Sequence, residues 1–167
     1  MQNLLARMPV PLSQRPAPAR LPAATVCPDH CGLECGANHQ FVAMLDAYQA
    51  TGGVARVEEV VELFNSREGP SVGMLAAWIE RREVICFEWH ADIWLPWFQF
   101  HRIELLPHPQ LTPVFAELAS VYDAWEMANW FARRNPWLAD RTPVSALVFD
   151  LPAVLHAARA DRFIANG

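Results

Sequence analysis

Apolar residues recur along this chain with two periods, and the switch between them divides it. Phe41, Met44, Leu45 and Tyr48 stand at i, i+3, i+4 and i+7, one stripe of a helix. Ordered structure is expected from about Asn38, and Gly52-Gly53 is expected to end this first helix. Val57, Val60, Val61 and Phe64 repeat the stripe, with Glu58, Glu59 and Glu62 on the outer face. A polar turn follows, and Ser71 is placed to cap a third helix that turns Leu75, Trp78 and Ile79 inward.

From Val84 to Phe100 the period drops to two. Ile85, Phe87 and Trp89 alternate with polar neighbours, and after His90-Ala91-Asp92 the alternation resumes at Ile93, Leu95 and Trp97. This predicts a β-hairpin, with Pro96 at an edge or a bulge. Beyond Pro107 and Pro109, Thr112 is expected to cap a helix with Pro113 at its first position. Val114, Leu118, Val121 and Trp125 carry its stripe, and Pro136 sets its end. A last helix is expected from Pro152 to Phe163.

The predicted fold is therefore mainly α: a helix-turn-helix-like front part, one hairpin and a helical C-terminal unit. Residues 1–37 read as an arm and a cysteine-rich linker, 38–105 as the helix-turn-helix part with the hairpin, and 106–167 as the helical unit. The arm carries Pro9, Pro11, Pro16, Pro18 and Pro22 among Arg7, Arg15 and Arg20, which disfavours regular structure.

Composition narrows the function classes. The chain has 167 residues, just over half of them apolar, with seven tryptophans, enough for a substantial core. Its net charge is −5 and it lacks lysine, so an overall field that repels phosphate argues against DNA binding as the sole role. No apolar run reaches the roughly 20 residues of a membrane span, and no secretory signal is recognisable, so the expected location is cytoplasmic and away from membranes.

Candidate chemistry is sparse. Cys27, Cys31, Cys35 and His39 recur at four-residue spacing and offer thiolate and imidazole ligands for zinc. The alternative is a reduced, exposed linker. Cys86, inside an apolar strand, reads as an inert core thiol. Asp123 and Glu126 are the one conceivable acid–base pair, and read instead as a solvated helix face. No nucleotide-binding, nucleophile-elbow or metalloprotease motif occurs, and the expectation is that the chain is not an enzyme.

Two helices, a turn and a hairpin have the outline of a winged helix-turn-helix. In that reading Arg67, Ser71, Arg81 and Arg82 would meet DNA. The outward start of the third helix, however, offers Val72, Gly73, Met74, Ala76 and Ala77, side chains that cannot read base edges.

The rear of the chain is more specific. Leu95-Pro96-Trp97-Phe98-Gln99-Phe100, then Asp123-Ala124-Trp125-Glu126-Met127-Ala128, then Asn135-Pro136-Trp137-Leu138 followed by Arg141, Pro143 and an Ala-rich helix, form one ordered series. Over residues 84–165 it resembles the C-terminal toxin-binding domain of Xre/MbcA/ParS-type antitoxins. Ala139-Asp140 stands where that family usually has a glycine. The resemblance implies a homodimer that binds a cognate toxin, of a RES-type that consumes NAD or a related kind, and that also regulates its own operon. It implies a contact surface of Trp137, Arg141, Arg159 and Arg162. Two other readings stand beside it: a winged helix-turn-helix DNA-binding regulator, and a zinc-stabilised interaction protein.

Overall fold

A computed structural model describes residues 32–167, with the side chains of 32–35 left aside. Its helices are α1 (Gly32–Tyr48), α2 (Val57–Ser66), α3 (Val72–Glu80), α4 (Thr112–Leu118), α5 (Ala124–Ala132), α6 (Pro143–Ala146) and α7 (Leu151–Asn166). Its strands are β1 (Val54–Arg56), β2 (Phe87–Trp89) and β3 (Asp92–Pro96), antiparallel in the order β1-β3-β2. The molecule is mainly α with one hairpin, and a third strand extends that hairpin. None of the helices among the described residues is long and apolar enough to cross a membrane.

Each front helix starts and stops for an identifiable reason. Met44 and Tyr48, on the stripe of α1, are fully buried, and the Tyr48 hydroxyl donates to the Ala128 carbonyl of α5 at 2.7 Å. Contrary to the expectation of a start near Asn38, α1 runs back to Gly32 and passes through Gly36. Downstream packing of Phe41, Met44 and Tyr48 offsets the roughly 1 kcal/mol that a helical glycine costs. The chain leaves the helical region at Gly52, whose φ is 111°; a Cβ there would lie 2.9 Å from Cβ of Trp97. Ser71 caps α3 as expected, its Oγ accepting the Met74 N–H at 3.3 Å.

β1 is three residues long, too short to display a period of its own. It becomes a strand by pairing Val54, Ala55 and Arg56 with Pro96, Leu95 and Trp94. This makes β3 the central strand, which corrects the placement of Pro96 at an edge. β2 reaches only as far as Trp94, so no second neighbour needs an N–H at Pro96. The Trp97 N–H serves instead, donating to the Gly53 carbonyl at 3.0 Å.

The sheet lies between two apolar clusters. Phe87 and Trp94 belong to the larger one, with α1 and α4 to α7, whereas Ala55 and Leu95 belong to a smaller one beneath α2 and α3, with Val60, Phe64, Leu75 and Trp78. Ile93, in the same alternation as Leu95, is exposed. The connectivity is α1-β1-α2-α3-β2-β3, with β3 in the middle of the sheet.

The expected long helix from Thr112 to Pro136 is two helices. Thr112 is the first residue of α4, not its cap, and Leu111 holds the cap position without a side-chain bond. The break occurs because Asp123 and Glu126 form a capping box: Asp123 Oδ1 accepts the Glu126 N–H at 2.7 Å, and Glu126 Oε2 accepts the Asp123 N–H at 2.9 Å. Both side chains are exposed, in keeping with the reading of a solvated helix face. Val121 lies in the connection. Trp125 stacks on Trp89 with ring centroids 4.9 Å apart. α7 is capped by Asp150, whose Oδ1 accepts the Ala153 N–H at 3.0 Å, and it outruns the expected end at Phe163.

Candidate functional site

Asn135 organises the most distinctive surface of the molecule. It stands directly before Pro136, where a helix cannot continue, and its side chain bonds in two directions. Oδ1 accepts the Trp137 N–H at 2.9 Å, and Nδ2 donates to Asp161 Oδ2 of α7 at 2.8 Å. Its backbone closes the same turn: the N–H donates to the Arg141 carbonyl at 3.0 Å, and the carbonyl accepts from Leu138 and Asp140 at 3.0 and 3.1 Å. Asp161 also accepts the Trp130 indole N–H at 2.6 Å, so one carboxylate fastens α5, the turn and α7 together.

The turn sorts two neighbouring apolar side chains to opposite fates. Leu138 is 2 % exposed and enters the larger cluster, whereas Trp137 is 56 % exposed. Ala139 and Asp140 follow at φ 53° and 59°, in the left-handed region. A glycine would adopt that conformation without strain.

Two arginines bond the backbone of the same turn. Arg134 donates to the Asp140 carbonyl at 3.3 Å, and Arg141 Nε donates to the Leu138 carbonyl at 3.2 Å. Arg133, exposed at the end of α5, lines the adjoining cleft of ≈460 Å³ with Arg134, Trp125, Trp130, Tyr122 and Asp161. Burial raises the Tyr122 phenol pKa above its ordinary value, and the Asp161 and Glu126 carboxylates push it the same way.

The other two arginines of the expected contact surface have different neighbours. Arg159 and Arg162 both reach Glu117 of α4, at 3.0 and 2.8 Å, and hold α7 against that helix. Trp137 and Arg141 thus sit on the turn itself, while Arg159 and Arg162 sit on the flank of α7 that meets α4.

Of the four residues proposed to meet DNA, Arg67, Ser71 and Arg81 are engaged locally. Arg67 follows α2 and donates to the Arg102 carbonyl at 3.4 Å, and Ser71 spends its oxygen on the cap of α3. Arg81 pairs with Glu83 at 3.0 Å, and Arg82 sits at φ 57°. Val72 and Met74 are exposed at the start of α3, and the hairpin carries Glu88 and Asp92.

Of the cysteine set, Cys27, Cys31 and the side chain of Cys35 lie outside the described residues. His39 is exposed on α1, and among the described residues no three potential ligands cluster. Cys86 is half-buried, and burial raises its thiol pKa. His101 and His108, which the sequence reading passed over, stand with their rings 3.9 Å apart at a second cleft. Their only signal in sequence was proximity to the hairpin's end.

No protein-family model matches the chain, and no curated protein or solved structure matches it either.

Proposed function

We propose that this chain is an antitoxin-like protein-binding module that neutralises a RES-type or related toxin in the cytoplasm, with Trp137 as its anchor. The observation that carries the reading is an indole more than half exposed on a backbone tied down at five points. Binding surfaces concentrate their energy in a few Trp, Tyr and Arg side chains. A turn already fixed in one shape loses little freedom on association. Arg134 and Arg141 on the turn, and Arg133 just before it in sequence, suit carboxylates on the partner, since guanidinium pairs with them in bidentate fashion.

A second exposed apolar set supports a further contact, with another copy of the chain. Phe149 and Phe163 are 81 % and 79 % exposed, with Val148 and Ile164 beside them in sequence. Solitary exposed apolar residues are ordinary, but large aromatic ones adjacent to other apolar side chains mark interfaces.

Co-expression with the protein encoded next to this one tests the proposal. The expected result is a co-eluting complex and restored growth. A neighbour that is harmless alone, or that elutes separately, removes the antitoxin reading.

DNA binding is the second reading, favoured by the succession of α2, α3 and the β2–β3 hairpin. The exposed start of α3 lacks the donors that base readout requires, so any binding is expected to be weak and to fall steeply with salt. Sequence-specific binding that survives replacement of both Arg81 and Arg82 by Ala would reverse this ranking.

A further inference from the structure

A cleft of ≈570 Å³ opens where the chain leaving β3 meets the α6–α7 segment. Its volume lies in the range of small-molecule sites. Trp97, Phe98, Leu111, Val144 and Leu147 form apolar walls. Its ionisable groups are His101, Arg102 and His108, and no carboxylate lines it. In a chain of net charge −5 this is a local reversal of sign.

Those three nitrogen-bearing side chains are brought together by the backbone. An isolated antiparallel bridge joins Phe100 to Pro107, the His101 N–H donates to the Leu106 carbonyl at 2.8 Å, and the His108 N–H donates to the Gln99 carbonyl at 2.9 Å. His101 and His108 are diagonal neighbours across that bridge, within reach of each other's rings. They stand 3.9 Å apart, centroid to centroid, tilted by 46°. Nδ1 of His108 is buried and has no hydrogen-bond partner, and Arg102 forms no ion pair among the described residues. Buried polar atoms are ordinarily paired, so an unpaired ring nitrogen on a residue that lines the cleft is free to bond a ligand there.

We propose that this cleft binds a small amphipathic carboxylate, its head group accepting from His108, His101 and Arg102 and its apolar body lying against Trp97 and Val144. Two adjacent imidazoles resist simultaneous protonation because their charges repel. An anion between them removes that repulsion, so binding draws protons onto the pair. Burial first, and His101 second, already hold the His108 pKa below the ordinary histidine value. The ionisable groups that share the cleft with His108 are His101 and Arg102, both of which favour a bound anion.

Calorimetric titration of the full chain with octanoate, octanol and acetate tests this. Octanoate is expected to bind with net proton uptake, at least about tenfold more tightly near pH 6 than near pH 8, a span that crosses the histidine range. Octanol and acetate, each lacking one half of the ligand's chemistry, are expected to bind at least about tenfold more weakly. Arg102→Gln and His108→Gln should weaken octanoate and leave octanol unchanged. Proton resonances of the His101 and His108 rings in the unaltered chain provide a readout free of folding effects: octanoate should raise both titration midpoints. Octanol binding as tightly as octanoate, absence of saturable octanoate binding, or ring titrations unmoved by octanoate would each overturn the proposal.

Discussion

The side-chain amide of Gln99 pairs with both backbone groups of Ile85: its Nε2 donates to the carbonyl at 2.8 Å, and its Oε1 accepts the N–H at 2.7 Å. Gln99 is fully buried, so neither backbone group has water as a substitute. A side chain here does the work of a neighbouring strand, holding the approach to β2 in an extended path. Each buried group left unsatisfied costs about 1–3 kcal/mol. Gln99→Ala is therefore expected to destabilise the chain by roughly 2 kcal/mol or more, read as a fall in the urea midpoint. A change under about 0.5 kcal/mol would mean that water or another group reaches Ile85.

Trp137 and Leu138 are adjacent and should behave oppositely. Leu138→Ala removes buried side chain and is expected to cost about 2–5 kcal/mol. Trp137→Ala should leave the melting temperature nearly unchanged while weakening partner binding at least about tenfold, as anchors do. Equal loss of stability in both variants would mean that the indole packs inward.

Ala139 occupies the left-handed region at φ 53°. That conformation costs an L-residue about 1–2 kcal/mol. Glycine relieves it but gives back roughly 0.5–1 kcal/mol through its freer unfolded chain. Ala139→Gly is expected to stabilise the protein by up to about 1 kcal/mol. Chemical denaturation would show it as a higher midpoint at unchanged slope.

Asp123→Ala removes the cap of α5 and should cost about 1 kcal/mol, within the usual range of about 0.5–2 kcal/mol. Glu126→Ala opens the other half of the box and should cost less. Because each side chain bonds the other's backbone, the double variant is expected to lose less than the two single losses added. Strict additivity would argue against reciprocal capping.

His108 gives stability a pH dependence whose sign follows from its environment. Burial, then His101, hold its pKa below the ordinary value of about 6.5, with the Phe100 carbonyl opposing. The folded chain thus binds this proton less readily than the unfolded chain does. The contribution is complete above about pH 6.5 and is lost as pH falls through the folded value. Thermal melts from about pH 7.5 to 5.5 should decline, and His108→Gln should remove part of that slope. An identical slope in the variant would assign the dependence to other groups.

Local signals in this chain were readable; those created by pairing were not. The stripe of α1 and the cap at Ser71 follow from short-range patterns and stand where the pattern put them, while α5 ends at Ala132, three residues before the Asn135-Pro136 stop. The break before α5 also had a signal, an Asp three residues before a Glu, which the continuing apolar stripe from Val114 to Trp125 obscured. β1 had none, because three residues adjoining a helix carry no period. The candidate site was legible as a turn, while the exposure of Trp137 depends on how α7 meets it through Asp161. The His101–His108 pair was invisible, since a bridge between Phe100 and Pro107 is what aligns the rings.

The sheet between the two clusters leaves this molecule without a seam. Trp94 pairs with Arg56 on one side and Phe87 on the other, so β3 is hydrogen-bonded along both edges. Melting of either cluster strips one face from these strands, and the surviving cluster loses a wall. The two halves are therefore expected to share a single unfolding free energy, with the amide of Trp94, paired on both sides, among the slowest to exchange with solvent.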